Sequence, residues 1–219
     1  MGCGKAGGNV CFDADGVLWR QDAGDSYFRS CLERHILLPE QERVARRAFA
    51  AYTQGSLAED RIAGVCAEVM QGLSDAFVTA DARQFMQAHF RSHLIPEIAA
   101  WIARLQAAGV DCWVVSGSNR WFVAAGAEMV GIPATRVLAV SNAVIDGVLT
   151  SRIEQPVTFG EGKAEAIRKR LPALPDMAFG NTAQDIPMLN LATRLAVAVE
   201  PDRELLAIAS SRGWAVLRP

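Results

Sequence analysis

Two hydrophobic textures divide the chain. From residue 26 to residue 93 apolar positions recur at intervals of three and four, with almost no continuous or alternating apolar run, which predicts amphipathic helices over 26–37, 39–53, 57–70 and 79–93. Pro39-Glu40 opens the second helix, Ser56-Leu57-Ala58-Glu59 reads as a capping box at the start of the third, and the fourth ends before Pro96. From Pro96 onward the texture changes. Short apolar runs at 112–115, 137–140, 177–179, 195–199 and 214–217 alternate with helical stretches of about ten residues, the pattern of β-α units in a parallel sheet. Val10, Cys11 and Phe12 form a matching strand near the N-terminus, and Asp146-Gly147 between apolar residues of 144–153 signals a hairpin. The expected fold class is therefore α/β, a Rossmann-like parallel-sheet core interrupted directly after its first strand by a helical bundle. The expected boundaries are 1–20 with 95–219 for the core and 21–94 for the insert.

Composition narrows the partners. The chain has 219 residues, 51% of them hydrophobic and 21% charged, with a formal net charge of −2, so it supports a real core and offers neither nucleic acid nor anionic lipid a basic face. A small, discrete ligand is expected, while the oligomeric state is left open. Five cysteines (Cys3, Cys11, Cys31, Cys66 and Cys112) are odd in number, widely spaced and contain no C-x-x-C pair, which argues against a disulfide frame and fits a reducing cytosol. No run approaches 18 apolar residues, so no membrane span is expected, and the start has no apolar signal segment. The Met1-Gly2 start has Ala6 where N-myristoylation wants Ser or Thr. Gly2, Gly4 and Gly7 fit a dinucleotide-binding pattern but precede the first strand, so a flexible terminus is expected there. His89 and His93 are i, i+4 neighbours without a third ligand in view, and a solvated helix face is the expected reading.

In open α/β sheets ligands bind beyond the carboxyl ends of the strands. Asp13-Ala14-Asp15-Gly16 follows the first strand, two carboxylates with a glycine to turn the chain. Ser116-Gly117-Ser118-Asn119 follows the second, Gly160-Glu161-Gly162-Lys163 places a lysine at a helix start, and Gly180-Asn181-Thr182-Ala183-Gln184-Asp185 follows 177–179. Singly, each is an ordinary cap or turn. Together they place carboxylates, a hydroxyl and a lysine at corresponding ends of the sheet.

Those four motifs, in that order, resemble the haloacid-dehalogenase-superfamily hydrolases of the phosphoserine-phosphatase-like branch, with motif one at Asp13-x-Asp15-Gly16-Val17, motif two at Ser116, motif three at Lys163 and motif four at Gly180-Asn181-x-x-x-Asp185. The helical insert sits where that branch carries its cap. The resemblance implies a phosphomonoesterase for a small phosphorylated metabolite. Asp13 would be the nucleophile that forms an aspartyl-phosphate, and Asp15 the general acid and base. It also implies Mg²⁺, held by the Asp13 carboxylate, the Asp15 carbonyl, Asn181 and Asp185, with Ser116, Gly117 and Lys163 around the phosphoryl oxygens. Asn181 departs from the commoner Asp, which removes one negative charge from the metal site. Asp22 stands nine residues after Asp13, where that branch has a Glu that meets the substrate amine, but the cap arginine for a carboxylate has no clean match, Arg61 being out of register. Phosphoserine itself is therefore doubtful. Packing is the expected role of Trp19 and Trp121, the alternative being that their faces, beside Asp22, hold a quaternary or primary amine by cation–π attraction. The alternatives are a phosphotransferase or mutase using the same intermediate, and a non-catalytic phosphometabolite-binding regulator.

Overall fold

The computed structural model describes residues 7–219. Cys3, Ala6 and the Gly2 and Gly4 part of the glycine pattern lie outside the described residues. In chain order the elements are β1 (Asn9–Phe12), α1 (Ala23–Glu33), α2 (Pro39–Thr53), α3 (Glu59–Glu68), α4 (Asp75–His89), α5 (Pro96–Ala107), β2 (Asp111–Asn119), α6 (Arg120–Met129), β3 (Val137–Val140), β4 (Asn142–Ile145), β5 (Val148–Ile153), α7 (Glu161–Arg170), β6 (Met177–Gly180), α8 (Ile186–Leu189), β7 (Leu195–Val199), α9 (Arg203–Arg212) and β8 (Ala215–Leu217).

Six strands form one parallel sheet in the order β3-β2-β1-β6-β7-β8, and β4 and β5 form a separate antiparallel hairpin. The chain runs outward from β1 to β3, then crosses back to continue at β6, so the switch point lies beside β1 and its carboxyl end becomes the place for a ligand. The period-2 alternation of the strands explains the two layers. Val10, Phe12, Val114, Phe179, Val197 and Val199 face one hydrophobic cluster, while Cys11, Val115, Ala178, Ala196 and Ala198 face the other with Ile167, Leu205 and Ala209. Small side chains on the second face let α7 and α9 lie close.

The first cluster runs without a break from the sheet into the inserted helices, through Trp19, Phe28, Val78 and Met86. The chain leaves the sheet at 18–20 and returns at 93–95 as a short antiparallel pair, with Arg20 N donating to His93 O at 2.8 Å and Ile95 N to Leu18 O at 3.0 Å. The hairpin fastens the insert from the other side. Gly72 N and Leu149 N exchange bonds with Leu149 O and Leu73 O at 2.9 Å, and Asn142 Nδ2 donates to Ala67 O at 2.8 Å.

Three helix starts differ from the sequence expectation. α1 begins at Ala23 because Asp22 accepts from Asp25 N at 2.8 Å, and α4 begins at Asp75 because the Ser74 hydroxyl accepts from Phe77 N. Ser56 is not the N-cap of α3: its hydroxyl donates to Ala51 O, and α3 starts after Ala58. The hairpin turn is as the sequence implies, with Asp146 and Gly147 at φ 50° and 77°. His89 lies against the Phe85 ring, and among the described residues no cluster of three His, Cys, Asp or Glu is arranged to hold a metal. Among the same residues no helix is long and apolar enough to cross a membrane.

Candidate active site

Every strand-end motif opens onto one cavity of about 380 Å³, lined by Asp13, Asp15, Ser116, Gly117, Lys163 and Asn181, with Asp22 at its entrance from the insert. Asp185 stands behind this wall and is fully buried.

The backbone of β1 fixes Asp13, whose N–H donates to Phe179 O of β6 at 2.9 Å. Gly16 turns the chain at φ 77°, and a Cβ there would meet the Asn181 amide at 2.0 Å, so the close approach of the two loops requires glycine. Lys163, on the first turn of α7, is buried and donates to Asp13 Oδ1 at 2.7 Å and to Asp185 Oδ1 at 2.5 Å. The other Asp185 oxygen accepts from Asn181 N at 2.9 Å and Thr182 N at 3.1 Å. Asp185 thus ties the lysine to the loop after β6. Burial works against the Lys163 ammonium, but the charges of Asp13 and Asp185 and the bonds they accept outweigh it and hold the lysine protonated. Burial and then the Asp185 charge push the Asp13 carboxyl up to about 7, with Lys163 pulling it down.

Asp15 is held differently. Its Oδ1 accepts from the Trp19 indole N–H at 2.7 Å and from Ala23 N at 2.7 Å, and its Oδ2 from the Ser118 hydroxyl at 2.8 Å. Burial, then the Asp22 charge, raises this carboxyl to about 6 against the three hydrogen bonds that lower it. Ser116 is buried; its Oγ accepts from Ser118 N at 3.1 Å and its carbonyl from the Thr158 hydroxyl at 2.5 Å, which joins β2 to the loop that leads into α7.

A hard cation suits the remaining geometry. One atom of the Asn181 amide head lies 3.2 Å from both Asp13 Oδ2 and the Asp15 carbonyl oxygen. With nitrogen in that position the amide donates to both. With oxygen there, three oxygens converge, a carboxylate, a carbonyl and an amide, which is the donor set that Mg²⁺ takes. Two carboxylates, Asp13 and Asp185, share the single Lys163 ammonium, and the Asp15 carboxyl adds a third acid to the same cavity, a charge balance that suits a divalent ion.

The tryptophans do not line this cavity. Trp19 and Trp121 are both about fully buried, and their indole N–H groups donate inward, to Asp15 and, at 3.0 Å, to Asp75 Oδ1. Both rings pack in the core, as expected, and the alternative of an amine held on their faces is overturned. Asp22 does reach the cavity, where burial pushes its carboxyl up. Sequence reasoning missed Ser118 and the part of Trp19 that matters, its N–H, as well as Phe159, whose ring lies 3.0 Å from where a Gly117 Cβ would stand. For Ser118 a signal existed, a second hydroxyl two residues after Ser116 at the same strand end.

Comparisons with known proteins bear on the family and the fold. A phosphoserine phosphatase of Mycobacterium tuberculosis is 32% identical over 114 residues, 50% of this chain and 36% of its own length. A histidinol-phosphatase of Neisseria meningitidis serogroup C is 24% identical over 216 residues, covering 94% of this chain and 96% of its own. A crystal structure of a Bordetella pertussis protein of unknown function superposes with a TM-score of 0.82 at 24% identity, covering 97% of this chain and 99% of that one. The chain spans about half, or less, of the length of the mycobacterial relatives it matches. The sequence pattern of the haloacid dehalogenase-like hydrolases matches residues 10–190, and the chain belongs to that family.

Proposed function

We propose that the protein is a Mg²⁺-dependent phosphomonoesterase that hydrolyses a small phosphorylated metabolite through an aspartyl-phosphate on Asp13. The observation that carries this reading is the pairing of two differently held carboxylates at one cavity floor, Asp13 on the Lys163 ammonium and Asp15 among neutral donors. Bound between Asp13, the Asp15 carbonyl and Asn181, Mg²⁺ would neutralise phosphoryl charge and let an anionic nucleophile approach an anionic ester. Asp13 attacks phosphorus, and Lys163, held by Asp185, faces the same phosphoryl group as its charge builds. Asp15 protonates the departing alkoxide, then takes a proton from the water that cleaves the acyl-phosphate. Ser116 and the N–H groups at the end of β2 bind the phosphoryl oxygens. In this reading Asp185 organises Lys163 and the loop amides from behind, each of its oxygens already accepting protein donors.

The insert, residues 21–94, acts as the cap that encloses the leaving group. Asp22 supplies it with a carboxylate on the cavity wall, while Phe49, Ile62, Phe122 and Phe159 supply an apolar wall. This favours a phosphate ester whose alcohol carries an amine on an apolar frame. The phosphoserine phosphatase and the histidinol-phosphatase among the relatives are named for two amine-bearing esters. Phosphate release from a panel of phosphorylated metabolites tests the reading: turnover is expected in Mg²⁺, lost in chelator and lost in Asp13→Asn. Asp22→Ala is expected to raise KM for amine-bearing esters and leave sugar phosphates unchanged. Full turnover in excess chelator would remove the metal from the scheme, and equal effects of Asp22→Ala on both classes would remove the amine.

A further inference from the structure

We propose that Trp19 and Ser118 are positioning residues that divide the labour between the two oxygens of Asp15: Oδ1 is a fixed acceptor turned into the fold, and Oδ2 is the oxygen that exchanges the proton with leaving group and water. The inference rests on the reading of Asp15 as general acid and base, and deepens it to a single atom.

The argument begins with what each partner can do. An indole N–H and a backbone N–H donate and never accept. Oδ1 receives both, from Trp19 and Ala23, each at 2.7 Å. A proton on Oδ1 would point at two hydrogens that have no other acceptor among the described residues, so that oxygen stays bare in both states of the carboxyl. A hydroxyl can reverse. Ser118 Oγ, 2.8 Å from Oδ2, donates to the carboxylate and rotates to accept once Oδ2 is protonated or engaged by substrate. The surroundings agree: Ser118 lines the cavity together with Asp15, whereas Trp19 and Ala23 do not. Oδ1 therefore faces the interior of the fold and Oδ2 faces the reacting group.

The indole is held so that its N–H cannot turn away. Its ring is fully buried, edge-on to Phe90 at 6.5 Å between centroids. It lies so close to α6 that a Cβ on Gly126 would stand 2.4 Å from it. Its own backbone closes the 15–19 loop, Gly16 N donating to Trp19 O at 2.8 Å. The tryptophan thus fixes both the loop and the carboxyl plane.

The chemistry balances on this one oxygen. As the bond from Asp13 to phosphorus forms, the bond to the alcohol oxygen breaks, and that oxygen keeps the electron pair and takes the proton from Asp15 Oδ2. In the second step water bonds to phosphorus, its proton goes to Oδ2, and the electron pair of the breaking bond returns to Asp13. Each cycle restores the protonated acid.

The test compares two esters of similar size, 4-nitrophenyl phosphate, whose phenolate leaves unaided, and benzyl phosphate, whose alkoxide needs a proton. Phosphorylation of the enzyme is followed in single turnover with Mg²⁺ for the parent, for Trp19→Phe and for the parent with Trp19 replaced by benzothienylalanine, which exchanges only the N–H for sulfur. The benzothienyl protein keeps the ring volume, so it answers even where Trp19→Phe folds poorly. Both are expected to slow phosphorylation from benzyl phosphate on the order of tenfold or more, and from 4-nitrophenyl phosphate by no more than about threefold. Ser118→Ala should show the same direction with a smaller ratio. Equal slowing of both esters, or none, would overturn the inference. Asp15→Asn, measured alongside, separates the layers. If it leaves the ratio of the two esters unchanged, the acid/base reading itself falls. If it changes the ratio and the Trp19 variants do not, only the division of labour falls.

Discussion

Replacing Asn181 by Asp probes the metal site through a change of one atom type. With its Nδ2 turned inward, the Asn181 amide donates to Asp13 Oδ2 and to the Asp15 carbonyl, each at 3.2 Å, and closes the site on itself. In Asn181→Asp both donors become a carboxylate oxygen at that spacing. Two unit charges 3.2 Å apart repel by about 5 kcal/mol at an effective dielectric of about 20, which is a ceiling, since either acid can protonate. The two lost hydrogen bonds add about 1 kcal/mol each. Relaxation leaves a net destabilisation of about 2–4 kcal/mol, or a Tm fall on the order of 10 °C for a chain of this size. Saturating Mg²⁺ reverses the sign of the argument, because the added charge then faces a dication, so the variant should bind Mg²⁺ more tightly and recover its Tm. Asn181→Ala separates the contributions, losing the donors without adding charge. The assay is thermal unfolding in chelator and across a Mg²⁺ titration, with calorimetry for Kd. A variant that melts with the parent in chelator and binds Mg²⁺ no more tightly would refute the reasoning.

Lys163→Met leaves the carboxylates of Asp13 and Asp185 buried without their shared cation, so a loss of about 3–5 kcal/mol in stability is expected together with loss of turnover, and denaturant unfolding checks it. The pH dependence of stability follows from Asp13, whose carboxyl rises from 3.8 to about 7 through burial first and the Asp185 charge second. Between those values the folded protein keeps a proton that the unfolded chain has released, so this group lowers the stability of the metal-free protein as pH rises through the window and is neutral below it. The difference in stability between the parent and Asp13→Asn in chelator should therefore move against the parent from acid to neutral pH, and a difference that moves the other way would contradict the shift.

The strands and their ends were legible because a parallel sheet buried on both faces writes continuous apolar runs, and because its ligand-binding loops must follow those runs. Asp13, Asp15, Ser116, Lys163 and Asn181 converge for that reason. Helix starts were less legible. Ser56 has the right spacing to Glu59 for a capping box, yet its hydroxyl is taken by Ala51 O, while Asp22 and Ser74 cap helices in stretches where the apolar period had not begun. Proximity in sequence to a motif does not tell which way a ring faces, so the sequence left an amine-binding alternative beside the packing of the tryptophans that the structure shows. Trp19 turns inward because Gly126 leaves room for it on α6, a complementarity across more than a hundred residues that no local pattern contains. The hairpin was visible as a turn, but its attachment to Leu73 and Ala67 of the insert was not, since backbone pairing of that kind carries no side-chain signature.

The central claim is the covalent intermediate on Asp13, and trapping it tests the account most directly. Protein mixed with 4-nitrophenyl phosphate and Mg²⁺, quenched in acid and reduced with borohydride, should yield homoserine in place of Asp13 in the peptide that follows β1, with Asp15 unmodified. Steady phosphate release with no reducible acyl-phosphate at Asp13, or with the modification on another residue, would contradict it.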